Sequence, residues 1–493
     1  MNPTLSKPTP DKPASIVVLG LAIVAGAILR FVKLDALSMS ADEGASWAAA
    51  SAQTVIETIR RQQALNAGKL PIHDIALHGW IALFGQSLFA LRALSASAGV
   101  ISIVLVYLVV WELFGETGRD GASTIGRSIS DFAAAVAALL FALNPRAIDA
   151  AREVRMYSLM LTFVLAQVWV LARAIRRGSI VDYAGVAIFT AFAIAANFTA
   201  SLVVMAEGIW FAFLLAARRE RLRTMVGPAI AIACGLAILA PPAILASHSN
   251  AQVVAAGVLD WIAPPHFKSV TRFFRHGVGF IAFWTMIALG AWGILRAGRR
   301  AMDRIILLGL WMVVPPIALV FISWWWRPLF VPRYAVSSIV PMLILAALGA
   351  AMAGEFRARI AAVAIVVTLA AVGFNRERTR EAWIDWHDAA LVAAANVKPD
   401  ESITVEPAYA ADVVRYYLRD RGAFDVRGGE LPSITKPRAG IFVVADVTSV
   451  RPEQAQVELT PLYPEIVAHL HGIAVRRYSP DAFAHAEGAR NAK

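Results

Sequence analysis

A single cysteine, Cys234, stands among 493 residues. It excludes an intrachain disulfide and a cysteine-rich metal site. Because it lies within an apolar run, its expected role is core packing. Charge is scarce too: 16% of the chain is charged and 58% hydrophobic, with a mean hydropathy of +0.61. A soluble domain is closer to half apolar. The excess is gathered into runs long enough to cross a bilayer, which takes about 20 residues of helix. Acids are fewer than bases, 35 against 46, leaving a net charge of +11. A basic chain raises nucleic acid as a partner, but much of the Arg and Lys sits in short loops between apolar runs. That is the positive-inside pattern. The charge therefore reads as topology and anionic-lipid contact, and no nucleic-acid partner is expected.

The first thirteen residues hold Lys7, Lys12 and four prolines. The apolar run after them, 14–32, is too long for a signal h-region and has no small-residue cleavage site, so it reads as an uncleaved first span. Further spans are expected near 91–114, 131–145, 157–172, 181–196, 200–217, 226–246, 278–295, 305–323, 335–353 and 360–374, about eleven in all. If the N-terminus is cytoplasmic, the loops 115–130, 173–180, 218–225, 296–304 and 354–359 are cytoplasmic as well. Each is Arg-rich, for example Arg218, Arg219, Arg221 and Arg223. An odd number of spans then puts everything after 375 outside. No repeat with a period of 20–50 residues is visible.

The outer segments have features of their own. Ala48 to Arg61 has helical spacing with apolar and charged faces and reads as a helix on the membrane surface. Residues 247–277 are similar, with Trp261, Phe267, Phe273 and Phe274 near Pro264-Pro265. Trp324-Trp-Trp326 is an aromatic cluster where an interface belt is expected. From 375 to 493 the composition changes. A helix at 380–396, a strand at 402–405, a helix at 408–419, a strand at 440–445, a helix at 452–471 and a strand at 472–478 predict a small α/β domain. It has no phosphate-cradling glycine loop and no nucleophile elbow, so it reads as an accessory domain.

Four places carry candidate chemistry. Asp42-Glu43 follows the first span; acids also suit a helix N-terminus. Lys69-Leu-Pro-Ile-His-Asp-Ile-Ala-Leu-His78 gathers His73, Asp74 and His78 before a span. Their spacing does not define a metal site, and a divalent cation stays an open alternative. Asn144 to Tyr157 carries Arg146, Arg152 and Arg155 on the outer side, against the positive-inside trend. A phosphate at the membrane surface would account for them, since guanidinium binds phosphate oxygens bidentately. Pairing with Asp149 and Glu153 would account for one or two. Arg327-Pro-Leu-Phe-Val-Pro-Arg-Tyr334 and Arg92 add cations on the same face. A carboxylate pair beside several cations suits a lipid-linked phosphate leaving group and an acceptor that needs a base.

Asp-Glu after span one, the loop ending His78-Gly-Trp-Ile-Ala-Leu-Phe-Gly-Gln-Ser-Leu-Phe-Ala-Leu-Arg92, the Arg155-Met-Tyr-Ser-Leu element and Pro332-Arg-Tyr334 resemble the GT-C glycosyltransferases. More narrowly, they resemble the bacterial branch related to protein O-mannosyltransferases and lipid A aminoarabinose transferase. The resemblance covers about 30 to 350, by the order and spacing of motifs. It implies a polytopic α-helical membrane protein with the GT-C fold. The implied division is a cytoplasmic tail 1–13, a catalytic membrane domain 14–374 with first loop 33–90, and a periplasmic α/β domain 375–493. It also implies an inverting transferase in the bacterial inner membrane. The donor would be a polyprenyl-phosphate sugar, and the acceptor an envelope lipid, glycan or protein.

Carried over by that resemblance, Asp42 is the base on the acceptor and Glu43 orients it. Lys69, Arg92, Arg155, Arg333 and Tyr334 hold the lipid phosphate or donor. His73, Asp74, His78 and Tyr157 line the acceptor site or pocket. One departure stands out: relatives often carry His-Pro-Pro-Leu-Tyr where this chain reads Lys69-Leu-Pro-Ile-His73. Either Lys69 contacts phosphate itself or the acceptor geometry differs here. Two other readings remain: a transporter or flippase of lipid-linked saccharides, and a non-catalytic envelope-assembly protein. Transporters place ionisable groups at the bilayer midplane, whereas the middles of the spans here are nearly free of charge, Glu207 being the main exception, and the charges cluster at the outer surface.

Overall fold

The computed structural model describes residues 12–66, 69–115, 125–217, 222–255, 262–353, 359–360, 362–368, 371, 384–429, 439–445, 465–470, 472–479 and 484. The chain forms two compact units. The membrane unit comprises 1–32, 68–73 and 92–379; the second comprises 33–67, 74–91 and 380–493. The segment 33–67 thus groups with the C-terminal residues rather than with the spans between which it lies in sequence.

The chain is a multi-pass membrane protein. Among the described residues, eight helices are long and apolar enough to cross a bilayer, and a ninth if the pair Arg127–Leu143 and Pro145–Ala151, bent by 61°, counts as one span. Helix Ile180–Ala196, at 17 residues, is shorter. These match the expected spans from the first to 335–353. The expected span 360–374 falls partly outside the described residues. Helix Ile339–Ala351 is buried on every side, as expected of a helix that is apolar all round. It lies so close to helix Phe280–Ala297 that a Cβ on Gly349 would stand 1.8 Å from the Leu289 carbonyl oxygen. Small residues permit such approach where lipid and protein are equally apolar and packing must supply the attraction. Cys234 is exposed on its helix, not in the core. In a membrane helix the outward side is apolar too, so hydropathy cannot tell lipid-facing from buried.

In the second unit, the single helix expected over Ala48 to Arg61 is two helices, Ala41–Ala50 and Val55–Leu65. Thr54 breaks the run: its side chain accepts from the Glu57 N–H at 3.2 Å and caps the second helix. An N-capping hydroxyl satisfies a donor that the first turn leaves orphaned. The region beyond 375 forms a five-stranded sheet ordered β2-β1-β3-β5-β4, with β1 Ser402–Glu406, β2 Val426–Gly428, β3 Gly440–Ala445, β4 Glu465–Leu470 and β5 Ile473–Tyr478. β1 pairs parallel with β2 and β3, and β5 runs antiparallel to β3 and β4. Helix Trp386–Asn396 packs on β3, β4 and β5, and helix Ala411–Leu418 on β1 and β2. The helix expected over 452–471 is corrected at its end: residues 465–470 are strand β4. Gly472, at φ +70°, makes the tight turn into β5, and cross-strand pairing overrides local helical spacing. Residues 452–464 lie outside the described set.

Helix Ala41–Ala50 meets helix Ala411–Leu418 at Gly44. A Cβ there would stand 2.6 Å from a Val413 methyl and 2.9 Å from the Val413 backbone nitrogen. Backbone cannot yield as a flexible side chain can. Gly44→Val is therefore expected to destabilise the second unit by about 1–3 kcal/mol, the usual range for overpacking. A lower midpoint in thermal unfolding of the purified protein checks this; an unchanged midpoint would mean that the two helices can part at no cost.

Candidate functional site

In the membrane unit, the candidate residues are set by a broken helix. Helix Arg127–Leu143 stops at Asn144, and Pro145 starts the next helix. Proline lacks the N–H needed to continue a helix but suits a first helical position. The Asn144 side chain accepts from Ala147 N–H at 3.1 Å and donates to the Gly277 carbonyl at 3.4 Å. The bend leads into the 152–156 turn and helix Tyr157–Arg177.

That helix is stitched to helix Leu88–Phe114 by hydroxyls. Ser95 Oγ donates to the Arg155 carbonyl at 3.2 Å and Ser158 Oγ to the Ser95 carbonyl at 2.8 Å. One turn further, Thr162 Oγ1 donates to the Ala98 carbonyl at 2.9 Å. The stitching places Arg155, 3% exposed, beside the helix that carries Arg92, 2% exposed, in its first turn. The short 3₁₀ stretch Pro332–Ser338 brings Arg333 over the Tyr157 ring, 5.9 Å from its centroid. Tyr334 lies 6.3 Å from Tyr157 and 6.0 Å from Phe198, ring to ring. Arg333, Tyr157 and Tyr334, brought together from two stretches far apart in the chain, thus form one aromatic and cationic group, and Arg155 is buried two residues before Tyr157. A guanidinium group beside phenol rings, partly withdrawn from water, can hold an anion more strongly than a surface cation can.

Not all of the arginines expected on the outer face belong to this group. Arg152 donates to the carbonyls of Leu29 at 2.9 Å, Arg30 at 3.3 Å and Val32 at 2.9 Å, capping the first span. The last carbonyls of a helix have no partner within it, and a cation there also suits the dipole. Arg30 returns the contact. Fully buried, it donates to the Ala142 carbonyl at 3.0 Å and the Phe141 carbonyl at 3.5 Å where the helix stops at Asn144; the Phe141 carbonyl also accepts from the Asn144 N–H at 3.2 Å. Gly99 leaves it room, since a Cβ there would stand 2.8 Å from Arg30 Nε. Arg152 thus caps the helix that carries Arg30, and Arg30 caps the helix on the far side of the bend from Arg152. Sequence analysis did not single out Arg30; the signal was an arginine inside an apolar run, where it is costly unless paired.

In the second unit, Ser40 to Glu43 form a capping box. Ser40 Oγ accepts from Glu43 N–H at 3.3 Å, and the Ser40 N–H donates to Glu43 Oε2 at 2.8 Å. Reciprocal bonds of this kind satisfy two orphan donors at a helix start. Glu43 is fully buried, whereas Asp42, one residue earlier, is half-buried. The pair divides accordingly: Glu43 secures the helix and Asp42 faces its surroundings. Tyr409 registers the charge of Asp42. Burial first, then the Asp42 and Glu406 charges, raise its phenol above the ordinary value. Sequence reading missed Tyr409, which lies far away in the chain.

The remaining candidates divide between the two units. Lys69 and His73 belong to the membrane unit, and Asp74 and His78 to the second. His73 and Asp74 are buried at the start of helix Ile72–Phe84. His78 Nδ1 lies 2.9 Å from the Ala50 carbonyl, at the end of helix Ala41–Ala50. Among the described residues, the group whose possible ligand atoms converge is Asp385, His387 and Asp388, not His73, Asp74 and His78. Its contacts are those of a helix start: Asp385 accepts from Asp388 N–H at 3.2 Å, and His387 Nδ1 meets Asp388 Oδ1 at 2.7 Å.

Comparison with known proteins agrees with this architecture. A family described as dolichyl-phosphate-mannose-protein mannosyltransferase matches residues 122–245, the stretch containing the broken helix. A mannosyltransferase candidate, YkcB of Bacillus subtilis (strain 168), is 30% identical over 105 residues, 21% of this chain. The match spans about a tenth of that relative's length, 11%. The crystal structure of ArnT from Cupriavidus metallidurans in the apo state superimposes with a TM-score of 0.59 at 15% identity, covering 95% of this chain and 98% of that one. ArnT bound to undecaprenyl phosphate gives 0.57 at 14% identity, covering 95% and 99%. The oligosaccharyltransferase of Archaeoglobus fulgidus gives 0.55 at 12% identity, covering 82% of this chain and 63% of that one. The local family match and the likeness over nearly the whole chain identify this protein as a multi-pass membrane protein with the fold of the GT-C glycosyltransferases.

Proposed function

We propose that the chain is an inverting glycosyltransferase of the bacterial inner membrane, moving a sugar from a polyprenyl-phosphate donor to an envelope acceptor on the periplasmic face. The observation that carries the reading is the group formed by Arg333, Tyr157 and Tyr334, with Arg155 buried two residues before Tyr157. The neighbour of like fold that binds undecaprenyl phosphate supports the donor class.

The step balances simply. An acceptor hydroxyl oxygen attacks the anomeric carbon while the bond from that carbon to the phosphate oxygen breaks. The hydroxyl proton passes to Asp42, and the electron pair leaves on the polyprenyl phosphate. Arg155, Arg333 and Arg92 stabilise that phosphate as its charge grows. Fixed donors aimed at a developing charge commonly lower a barrier more than any other single effect. The bilayer holds the donor's tail, which lowers the entropic cost of the encounter. Glu43 keeps the Asp42 helix in place. Lys69 is assigned to the phosphate, and His73, Asp74 and His78 to the acceptor side. The sheet-bearing C-terminal region serves as an accessory to acceptor handling.

The test uses the purified full chain in nanodiscs with undecaprenyl-phosphate hexoses and pentoses and cell-envelope extract. Release of undecaprenyl phosphate with label transferred to an envelope product is the expected result. Arg155→Ala is expected to raise the donor KM by at least about tenfold, the loss of a charged hydrogen-bonding partner. Movement of labelled lipid between leaflets without transfer would replace this reading with the flippase one.

A further inference from the structure

Helix Ala41–Ala50, which begins at the capping box, borders a cavity at its other end. The cavity measures about 600 Å³ and is lined by Trp47, Ser51, Gln86, Ser87, Arg419 and Asp420, all within the second unit. Its size falls in the range of small-ligand sites, roughly 300–1,000 Å³. The proposed transfer chemistry uses none of these residues.

The lining has a definite chemical character. Arg419 and Asp420 lie 3.2 Å apart, Nε to Oδ2, so their charges offset and the cavity favours neither anion nor cation. Two hydroxyls and an amide add further donors and acceptors. An alkyl chain would leave these groups without partners, at a cost in desolvation. The walls are also held in position. Trp47 Nε1 donates to Gln86 Oε1 at 2.9 Å, which orients the amide. The Tyr416 hydroxyl donates to the Gln86 carbonyl at 3.1 Å, and Trp47 and Tyr416 meet edge to face at 5.2 Å. Arg419 lies over the Tyr416 ring at 4.1 Å and donates to the Tyr416 carbonyl at 2.6 Å. Polar groups preorganised in this way lose little freedom on binding. A second cavity of about 370 Å³ shares Trp47 and Ser51; the Arg415–Asp412 ion pair and Arg61 line it, but the rest of its wall is the apolar Ala48, Ala64 and Leu65, and it has no side-chain amide.

We infer that the polar cavity binds a neutral saccharide of one or two rings. Carboxylate, amide and guanidinium groups are planar, and each can bridge vicinal hydroxyls with paired hydrogen bonds. Trp47 lies five positions after Asp42, an axial rise of about 7.5 Å along their helix. On the transferase reading, from which its role derives, the saccharide is the acceptor.

Saturation-transfer NMR on the full chain in nanodiscs, without donor, tests this. The probes are methyl glycosides of glucose, galactose, mannose and N-acetylglucosamine, their β-linked disaccharides, and methyl glucuronide. At least one neutral probe is expected to bind saturably. Asp420→Ala is expected to weaken it by about tenfold, the loss of a charged acceptor. Ser51→Tyr fills the cavity and is expected to abolish binding. Asp388→Ala, an exposed acid of the same unit outside the cavity, is expected to leave binding unchanged. No saturable neutral binding, equal binding by Asp420→Ala and Ser51→Tyr, or preference for the glucuronide would overturn the inference. The measurement needs no catalysis, so failure of the transferase reading leaves it standing. If transfer proceeds and Asp420→Ala keeps the acceptor KM unchanged, only this inference falls.

Discussion

Asp42→Asn is expected to lower the rate of sugar transfer by about 10²–10⁴-fold, the usual contribution of a general base, while leaving the protein folded. The substitution keeps the size of the side chain, and asparagine is tolerated in a first turn. The capping box does not use Asp42; its bonds join Ser40 and Glu43. The effect should fall on kcat, with the donor KM nearly unchanged, because the base acts as the new bond forms. Glu43 gives the contrasting pattern. Glu43→Gln preserves the reciprocal cap, since glutamine serves there as well, and is expected to retain much of the rate. Glu43→Ala removes the cap at a cost of about 1 kcal/mol and is expected to lower the unfolding midpoint. Initial rates and melting curves on the same preparations separate the two carboxylates. Full activity in Asp42→Asn would remove it as the base.

Arg30→Met is expected to cost about 1–3 kcal/mol of stability, the range for leaving a buried acceptor without its donor. The helix that ends at Leu143 cannot continue through Pro145; Arg30 donates to its Ala142 carbonyl and adds a second donor to the Phe141 carbonyl, which the Asn144 N–H also reaches. Methionine fills the volume but donates nothing. Arg30→Lys keeps the charge yet replaces a planar fork with a point donor, so an intermediate loss is expected. Arg152→Gln opens the other half of the clasp by uncapping the first span. It is expected to be milder, since that helix end is less buried. Denaturant titration of the purified protein measures all three. Wild-type stability in Arg30→Met would mean that the broken helix is held by packing alone.

Much of the membrane architecture was legible in the sequence because its signal is one-dimensional. A run of apolar residues must be helical in lipid, where each backbone group needs a partner within its own segment. The strands at 402–406, 440–445 and 473–478 were legible too, from short β-branched runs between turn signals. Where the reading failed, a long-range partner decided. Residues 465–470 became a strand by pairing with β5. Cys234 faces outward because lipid and core are alike to a methylene group.

The same division runs through the candidate site. Sequence alone determined which residue types are out of place: acids after the first span, and arginines on the face where the positive-inside rule predicts few. It could not rank them, since a side chain's purpose depends on the groups it reaches. Tertiary structure assigned Arg152 to a helix end, gave Arg30 a matching task, and gathered Arg333, Tyr157 and Tyr334. It also divided Asp42 from Glu43, adjacent residues of like charge, because successive helix positions point about 100° apart: Glu43 turns back to the Ser40 N–H, and Asp42 is left half-buried with its charge felt at Tyr409. Hydropathy is a property of each residue and survives in the sequence. Hydrogen-bond partnership is a property of pairs, and these pairs form only when the chain folds.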